Sequence, residues 1–533
     1  MHQDATPYDA LKRSAARSPG HACIAAPASA RLPWAPDGFS LSYRQALTRT
    51  DALRDGFVAA GYGRGSRVAV LLGNRPDFIL HWMALNAIGA SVVPINSDMR
   101  PDELRHQMTV SQAECVIAAP GFEALLTAGL PDGIPVAPLG AGIPTARTPR
   151  APDGGHGDDE SALLFTSGST GKPKACILSN HYFLNVAAWY TLMPGVAAMA
   201  WGREVSLTPL PFFHMNALGC TVVGMLTIGG TIVPLDRFHP DRWWATIADS
   251  GATIVHSLGV IPAILLQRPP GADDRRHRAR FTFGPGVEAQ HRIDFEARFN
   301  LPIVEGWAMT ETGAGAVTDT ASVAYEPGRR CIGVARGTME WRIVDEAGRD
   351  LPRGQPGELW CRTAGPDPRR GFFSGYLGDP VATEAAWEGG WFRTGDIMSV
   401  DDQGRFYFVD RKKSIIRRSG ENISALEVEA ALAADPTVQA AAVTPVSDPV
   451  RDEEVFAFVV PLAGAPDPAD LLARVGERIS YHKLPGWLVF TDALPVSSTN
   501  KLQRGEIRTR AEATVADGSA LDLRKLKGKL RHG

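Results

Sequence analysis

Leu163-Leu164-Phe165-Thr166-Ser167-Gly168-Ser169-Thr170-Gly171-Lys172-Pro173-Lys174 decides the reading of this 533-residue chain. The apolar run Ala162–Phe165 predicts a buried strand. It empties into hydroxyls and glycines, then two lysines, Lys172 and Lys174. Glycines let backbone N–H groups turn inward as an anion nest, hydroxyls add donors, and lysines offset charge. The spacing is not that of a Walker A loop, which needs four residues between its glycines and Ser or Thr after the lysine. A flexible polar hairpin turn is the plainer alternative. A turn needs neither this many hydroxyls nor two lysines. The loop is therefore read as a polyphosphate cradle.

Outward from that loop, strand-like and helix-like segments alternate. Arg67–Leu72 and Ser91–Pro94 read as strands around a helical Phe78–Ala90, and Pro101–Ser111 reads as a helix before the strand Cys115–Ala118. Residues 131–160, rich in Pro, Gly and Ala, read as a surface connection. A second series follows: Val205–Pro209, a helix over Ala217–Ile228, Thr231–Val233, a helix over Trp243–Ser250, and Thr253–His256. Such alternation predicts βαβ units, hence an α/β fold with largely parallel sheets flanked by helices and a smaller β-rich part. Near residue 410 the character changes. A cationic run, Arg411-Lys412-Lys413 and then Arg417-Arg418, precedes a helix over Leu426–Ala434 and strands over Val438–Val443 and Val455–Val460. A helix over Ala469–Arg478 and a strand Trp487–Phe490 complete a small α+β domain. A chain of this length exceeds one hydrophobic core, so the division is set at 1–410 and 411–533.

A formal net charge of −3 gives no electrostatic reason to expect nucleic acid as a partner. The basic tail Arg524–Arg531 reads as a solvated end. Six widely spaced cysteines show no zinc pattern and fit free buried thiols in a reducing cytosol. No signal peptide is read at Met1-His-Gln-Asp, and no apolar run is long enough to span a bilayer. The expectation is a cytoplasmic protein without stable membrane insertion, with homo-oligomerisation left open.

In Thr166–Lys174, and in motifs that follow it in order along nearly the whole chain, the sequence resembles the adenylate-forming enzymes. These comprise acyl-CoA synthetases, peptide-synthetase adenylation domains and luciferases. The resemblance implies an AMP-binding adenylation domain over 1–410 and a mobile C-terminal lid over 411–533. It also implies ATP, Mg²⁺ and coenzyme A as cofactor and co-substrates, with a small carboxylic acid as substrate. Thr166, Ser167, Gly168, Ser169, Thr170, Gly171, Lys172 and Lys174 would hold phosphates. Pro209-Leu-Pro-Phe-Phe-His-Met-Asn-Ala217 resembles the second motif and puts His214 beside the α-phosphate and the carboxylate. Phe283-Gly-Pro-Gly-Val287 stands at the adenine-contacting segment, with Gly286 against the nucleotide. Glu305-Gly-Trp-Ala-Met-Thr-Glu-Thr-Gly313 supplies Trp307 to stack on adenine where tyrosine is commoner. From the same motif, Thr310 would bond the phosphate and Glu311 would hold Mg²⁺. Trp391-Phe-Arg-Thr-Gly-Asp-Ile397 implies that Asp396 accepts both ribose hydroxyls. Arg411 would also touch the ribose, Lys413 falls at the hinge position, and Gly420 would line the pantetheine tunnel. Leu494-Pro-Val-Ser-Ser-Thr-Asn-Lys-Leu-Gln-Arg504 implies that Lys501 bridges carboxylate and α-phosphate during adenylation. Asn500 replaces the usual glycine there, and asparagine tolerates positive φ.

The acyl pocket is expected around Trp189, Asn216, His256–Val260, Gly284–Val287 and Ala308–Gly313. The aspartate that amino-acid-activating relatives carry near Phe-Phe-His-Met is missing, which disfavours a free amino acid. The stretch Arg-Arg-Ser-Gly-Glu-Asn-Ile-Ser and the length lean toward acyl-CoA ligases of the crotonobetaine/carnitine type. No carrier-domain site is read after residue 511, which favours CoA over a carrier protein as acceptor. A luciferase-type enzyme or a silent AMP binder is the remaining alternative.

Overall fold

A computed structural model describes every residue except 1–3, 167–172, 259, 285, 288, 318–330, 336–337, 412–414, 496–501, 503 and 531–533. Apolar runs become interior parallel strands, because a strand covered on both faces needs no polar alternation. One seven-stranded sheet carries Arg67–Leu71, Ser91–Pro94, Cys115–Ala118, Val136–Pro138 and Glu160–Thr166 in parallel. Lys174–Ser179 then folds back antiparallel on Glu160–Thr166. The loop singled out in the sequence thus joins the arms of a hairpin, and its tip, 167–172, lies outside the described residues.

A second seven-stranded sheet sets Val205–Thr208, Thr231–Pro234, Ile254–His256, Phe281–Phe283 and Ile303–Val304 parallel. The helices Pro76–Asn86 and Asn180–Thr191 are buried along most of their length and share one core with both sheets. The expected helix over Ala217–Ile228 differs in kind. Asn216–Val223 is a π-helix, and only Gly224–Ile228 is α-helical. Its Gly219 lies so close to the neighbouring helix that a Cβ would stand 2.5 Å from Val186 Cγ1. Asn216 and Cys220, four residues apart on that π-helix, both line the cavity described below.

An eight-stranded antiparallel sheet runs from Gly306–Trp307 to Arg405–Arg411, and its register sets Asp396 opposite Arg411. The following strand, Ile415–Arg418, belongs to a fourth sheet with Glu421–Ser424, Val438–Asp448, Asp452–Pro461, Trp487–Phe490 and Leu521–Asp522. That sheet has its own core around Val428, Val455, Leu472 and Leu488. All six cysteines are buried and free, and no described helix is long and apolar enough to cross a membrane.

Buried ions organise this C-terminal unit and its seat. Within it, Glu454 is fully buried and accepts from Arg418 Nε at 2.7 Å and Lys527 Nζ at 2.7 Å. At its boundary, Lys483 Nζ reaches Glu103 Oε1 at 2.5 Å and Glu427 Oε1 at 2.7 Å. Glu103 opens the helix Pro101–Ser111 of the body and also accepts from Ser480 Oγ. Burial alone would lower the Lys483 pKa, yet the two carboxylates hold it above its ordinary value. Burial pushes Glu427 up, while Lys483 carries Glu103 below the ordinary range in spite of burial.

Removing one partner of a buried ion pair strands the other charge, at a cost of about 3–5 kcal/mol. Glu454→Gln should lower stability by about that amount in urea titrations; an unchanged midpoint would refute the clamp. Lys483→Met removes the ammonium that stands between Glu103 and Glu427. The expected outcome is an undocked C-terminal unit, read as a larger radius of gyration in small-angle scattering, and an unaltered radius would count against it.

Candidate active site

A cavity of about 760 Å³ lies between the body and the C-terminal unit. Its first wall is the segment that ends the strand Val205–Thr208. Asn74 fixes that segment by donating to Leu210 O at 2.7 Å and accepting from Phe212 N at 2.9 Å. His214 is thereby set on the cavity, with Nε2 at 3.4 Å from Glu421 Oε1 of the C-terminal unit. Burial would raise the Glu421 carboxyl, but His214 beside it brings it down to about 2.

The second wall is the turn after Gly306–Trp307. Met309 N bonds Thr312 Oγ1 at 3.0 Å and Gly313 N bonds Met309 O at 2.9 Å, so Thr310 and Glu311 project at a closed turn that lines the cavity. Glu311 Oε1 accepts from Tyr376 Oη at 2.9 Å, and its backbone carbonyl accepts from Phe373 N at 2.8 Å. Burial first, and then Glu311, push the Tyr376 hydroxyl far above its usual range, so it stays a donor. Thr166 closes this side at the end of its strand. Gly286, at φ +82°, lines the cavity from a loop pinned where Val287 N bonds Glu305 Oε1 at 3.1 Å.

The third wall comes from the C-terminal unit. Gly420, at φ +86°, presses on Leu258 so closely that a Cβ would lie 2.1 Å from Leu258 Cδ1. Only glycine fits both that backbone conformation and that approach.

His214, Thr166, Gly286, Trp307, Thr310, Glu311 and Gly420 therefore share one cavity. Three other expected residues stand apart. Lys174 pairs with Asp379 at 3.1 Å and sits 5.0 Å above the Tyr376 ring. Asp396 is 1% exposed, and its Oδ2 accepts from the Trp307 indole N–H at 2.8 Å. Arg411 is placed opposite Asp396 by strand register alone. Ser167, Gly168, Ser169, Thr170, Gly171, Lys172, Lys413 and Lys501 lie outside the described residues.

Sequence reasoning missed Glu421, Glu103, Glu427 and Lys483, which line the same cavity. Glu103 and Lys483 are 380 positions apart, a separation that leaves no local signal. Glu421 follows the expected Gly420 directly and could have been noted from that motif.

Two family descriptions match the chain: AMP-binding enzyme over residues 11–377, and AMP-binding enzyme C-terminal domain over residues 427–501. The crotonobetaine/carnitine–CoA ligase of Escherichia coli O8 (strain IAI1) is 30% identical over 499 residues, covering 88% of this chain and 92% of that protein. The solved amide bond synthetase McbA from Marinactinospora thermotolerans is 25% identical with a TM-score of 0.80, over 95% of this chain and 99% of that one. A malonyl-CoA ligase, solved with methylmalonyl-CoA and AMP bound, is 26% identical with a TM-score of 0.74, over 89% and 96%. The chain belongs to the AMP-binding enzymes, in their acyl-CoA ligase branch, and is an AMP-forming acid–thiol ligase.

Proposed function

We propose that the enzyme joins a carboxylic acid to coenzyme A in two steps within this one cavity. In the first, a carboxylate oxygen bonds the α-phosphorus of ATP, the bond to the β-phosphate bridge breaks, and pyrophosphate leaves. In the second, the thiol sulfur of CoA bonds the acyl carbon, the acyl–oxygen bond breaks, and AMP leaves. The observation that carries this reading is the meeting of His214, Thr310 and Glu311 with Gly420 across the boundary between the two units.

In this reading the 166–174 loop cradles the phosphates, and His214 and Thr310 donate to oxygens that gain charge as the phosphorus is attacked. Glu311 fits a magnesium ion. A hard cation is commonly held by one carboxylate plus phosphate oxygens, Glu311 lines the cavity beside Thr310, and the described residues hold no cluster of three candidate ligands. Magnesium would supply charge neutralisation on the leaving pyrophosphate. Trp307 stacks on adenine, and Asp396 with Arg411 takes the ribose. Gly420 opens room for the pantetheine arm because it has no side chain. Lys501 acts in the first step, presented by a second orientation of the C-terminal unit. An amine acceptor is the competing reading, favoured by the 25% identity to an amide bond synthetase; thioester formation with CoA against amide formation with amines decides between them.

Lys501→Ala should slow pyrophosphate release at least ~100-fold, yet still convert a supplied acyl adenylate and CoA into thioester. Equal loss of both activities would overturn the two-orientation reading. Trp307→Phe keeps a stacking ring and removes the N–H that orients Asp396. Hydrogen bonds to charged acceptors are worth about 1.5–3 kcal/mol, so KM for ATP should rise about tenfold or more, with little change for a nucleotide lacking the ribose hydroxyls. An unaltered KM for ATP would remove Trp307 from ribose recognition.

A further inference from the structure

One wall of the cavity has a different chemistry from the rest. Asn216 and Cys220, on the π-helix, face a surface built from Trp189, Phe283 and the backbone of Gly306. Phe283 meets Trp189 edge-on, with centroids 6.1 Å apart at 78°. A Cβ on Gly306 would lie 2.7 Å from Phe283 Cζ, so this wall is closely packed. Charged residues line other parts of the cavity, among them Arg417, Arg451, Asp452 and Arg478, with Glu103 and Glu427 paired to Lys483 and Glu421 to His214; this wall itself carries none.

Behind this wall runs a buried polar chain. Tyr190 Oη lies 2.7 Å from His256 Nε2, and His256 Nδ1 lies 2.9 Å from Asn216 Oδ1. Tyr190 and His256 have no exposed surface. The chain has a direction. The Tyr190 hydroxyl donates to Nε2, so the proton of the neutral imidazole sits on Nδ1 and is donated to Asn216 Oδ1. Burial pushes the His256 pKa down to about 3, so the ring stays neutral and the direction does not invert at any working pH. With Oδ1 accepting from His256, the donor that Asn216 offers the cavity is Nδ2–H.

Resting on the reading above that this cavity holds the acid, we infer that the substrate is uncharged apart from the carboxylate it activates. It carries a neutral oxygen acceptor (hydroxyl, ether or carbonyl) that docks on Asn216 Nδ2, and Asn216 is the specificity-determining residue. Against this wall, a second carboxylate in the tail would be buried with one neutral donor and no cation on the wall, which is costly. A cationic tail would meet an N–H donor and no carboxylate. A purely aliphatic tail would leave Nδ2–H without a partner, and sites built to bond an oxygen reject analogues that lack one by large factors.

The test uses acids of matched length that end in methyl, methoxy, hydroxyl, keto, carboxylate or trimethylammonium, in aliphatic and aromatic series. Acid-dependent pyrophosphate release is measured with wild type, Asn216→Leu, Asn216→Asp and Tyr190→Phe. The expected result is at least a tenfold preference in kcat/KM for an oxygen-bearing neutral acid over its methyl isostere. Asn216→Leu should erase that preference mainly by slowing the oxygen-bearing acid. Asn216→Asp should favour the trimethylammonium acid, and Tyr190→Phe should narrow the preference without changing thermal stability by more than a few degrees. Best turnover by wild type of the dicarboxylate or the trimethylammonium acid would overturn the inference, as would a preference that survives Asn216→Leu. Calorimetric binding of the same acids separates the two levels. Asn216-dependent affinity without pyrophosphate release would defeat the ligase reading and keep the pocket. Adenylation with selectivity indifferent to Asn216 would do the reverse.

Discussion

A single buried ammonium, Lys483, joins the two units of this molecule by standing between Glu103 of the body and Glu427 of the C-terminal unit. The wall that the C-terminal unit lends to the site is placed at that seat. With Lys483 engaged, Ser480 also bonds Glu103, Glu421 comes within reach of His214, and Gly420 closes on Leu258. An apolar seat of similar area would hold the unit by surface removed from water, and that surface would be re-exposed whenever the unit moved. An ionic seat behaves differently, because its groups are well solvated when apart. The boundary thus fixes orientation through groups that water can also satisfy.

The cavity enclosed by that seat has two kinds of wall. Hydroxyl, carboxylate and imidazole groups crowd the side formed by Thr166, Thr310, Glu311 and His214. Aromatic and neutral amide groups form the side of Trp189, Phe283 and Asn216. Phosphoryl transfer needs donors and cations where charge moves between oxygens, whereas an acyl tail needs only shape and a correctly directed hydrogen bond. The two kinds of wall meet because the strand ends of two sheets, with different neighbours, converge on one pocket. Trp307 lies where the two kinds of wall meet, lining the cavity with its ring while its N–H bonds Asp396.

Much of both units was legible in the chain. Ser91–Pro94, Pro101–Ser111, Cys115–Ala118, Trp243–Ser250 and Trp487–Phe490 form with the bounds that their patterns predict. Each is a short apolar run or an amphipathic stretch bounded by turn residues, so local chemistry settles it. The eight-stranded antiparallel sheet was legible only as a smaller β-rich part: Met339–Val344 pairs with the nearby Gly357–Thr363, but Cys331–Ala335 pairs with the distant Arg405–Arg411, and that closure has no local signal. The π-helical stretch was hidden for another reason. Its hydrophobic pattern suits an α-helix, and the wider turn becomes evident only once Gly219 meets Val186. At the site, residue types in order pointed to His214, Thr310, Glu311 and Gly420. They could not reveal that the indole of Trp307 bonds Asp396, since that contact depends on a ring chosen where tyrosine is commoner.

Under the two-orientation proposal, the strength of the ionic seat is bounded. If the C-terminal unit presents different residues in the two steps, the docked state must be escaped in every turnover. A seat worth about 5.5 kcal/mol more than its alternative would shift the balance by about four orders of magnitude, and each turnover would wait on that rare escape. A buried ion pair avoids this. Breaking it by removing one charge is expensive, yet its net worth against the solvated, separated state is small, because desolvation offsets much of the attraction. Lys483 can therefore specify one docked geometry among many without trapping the unit there.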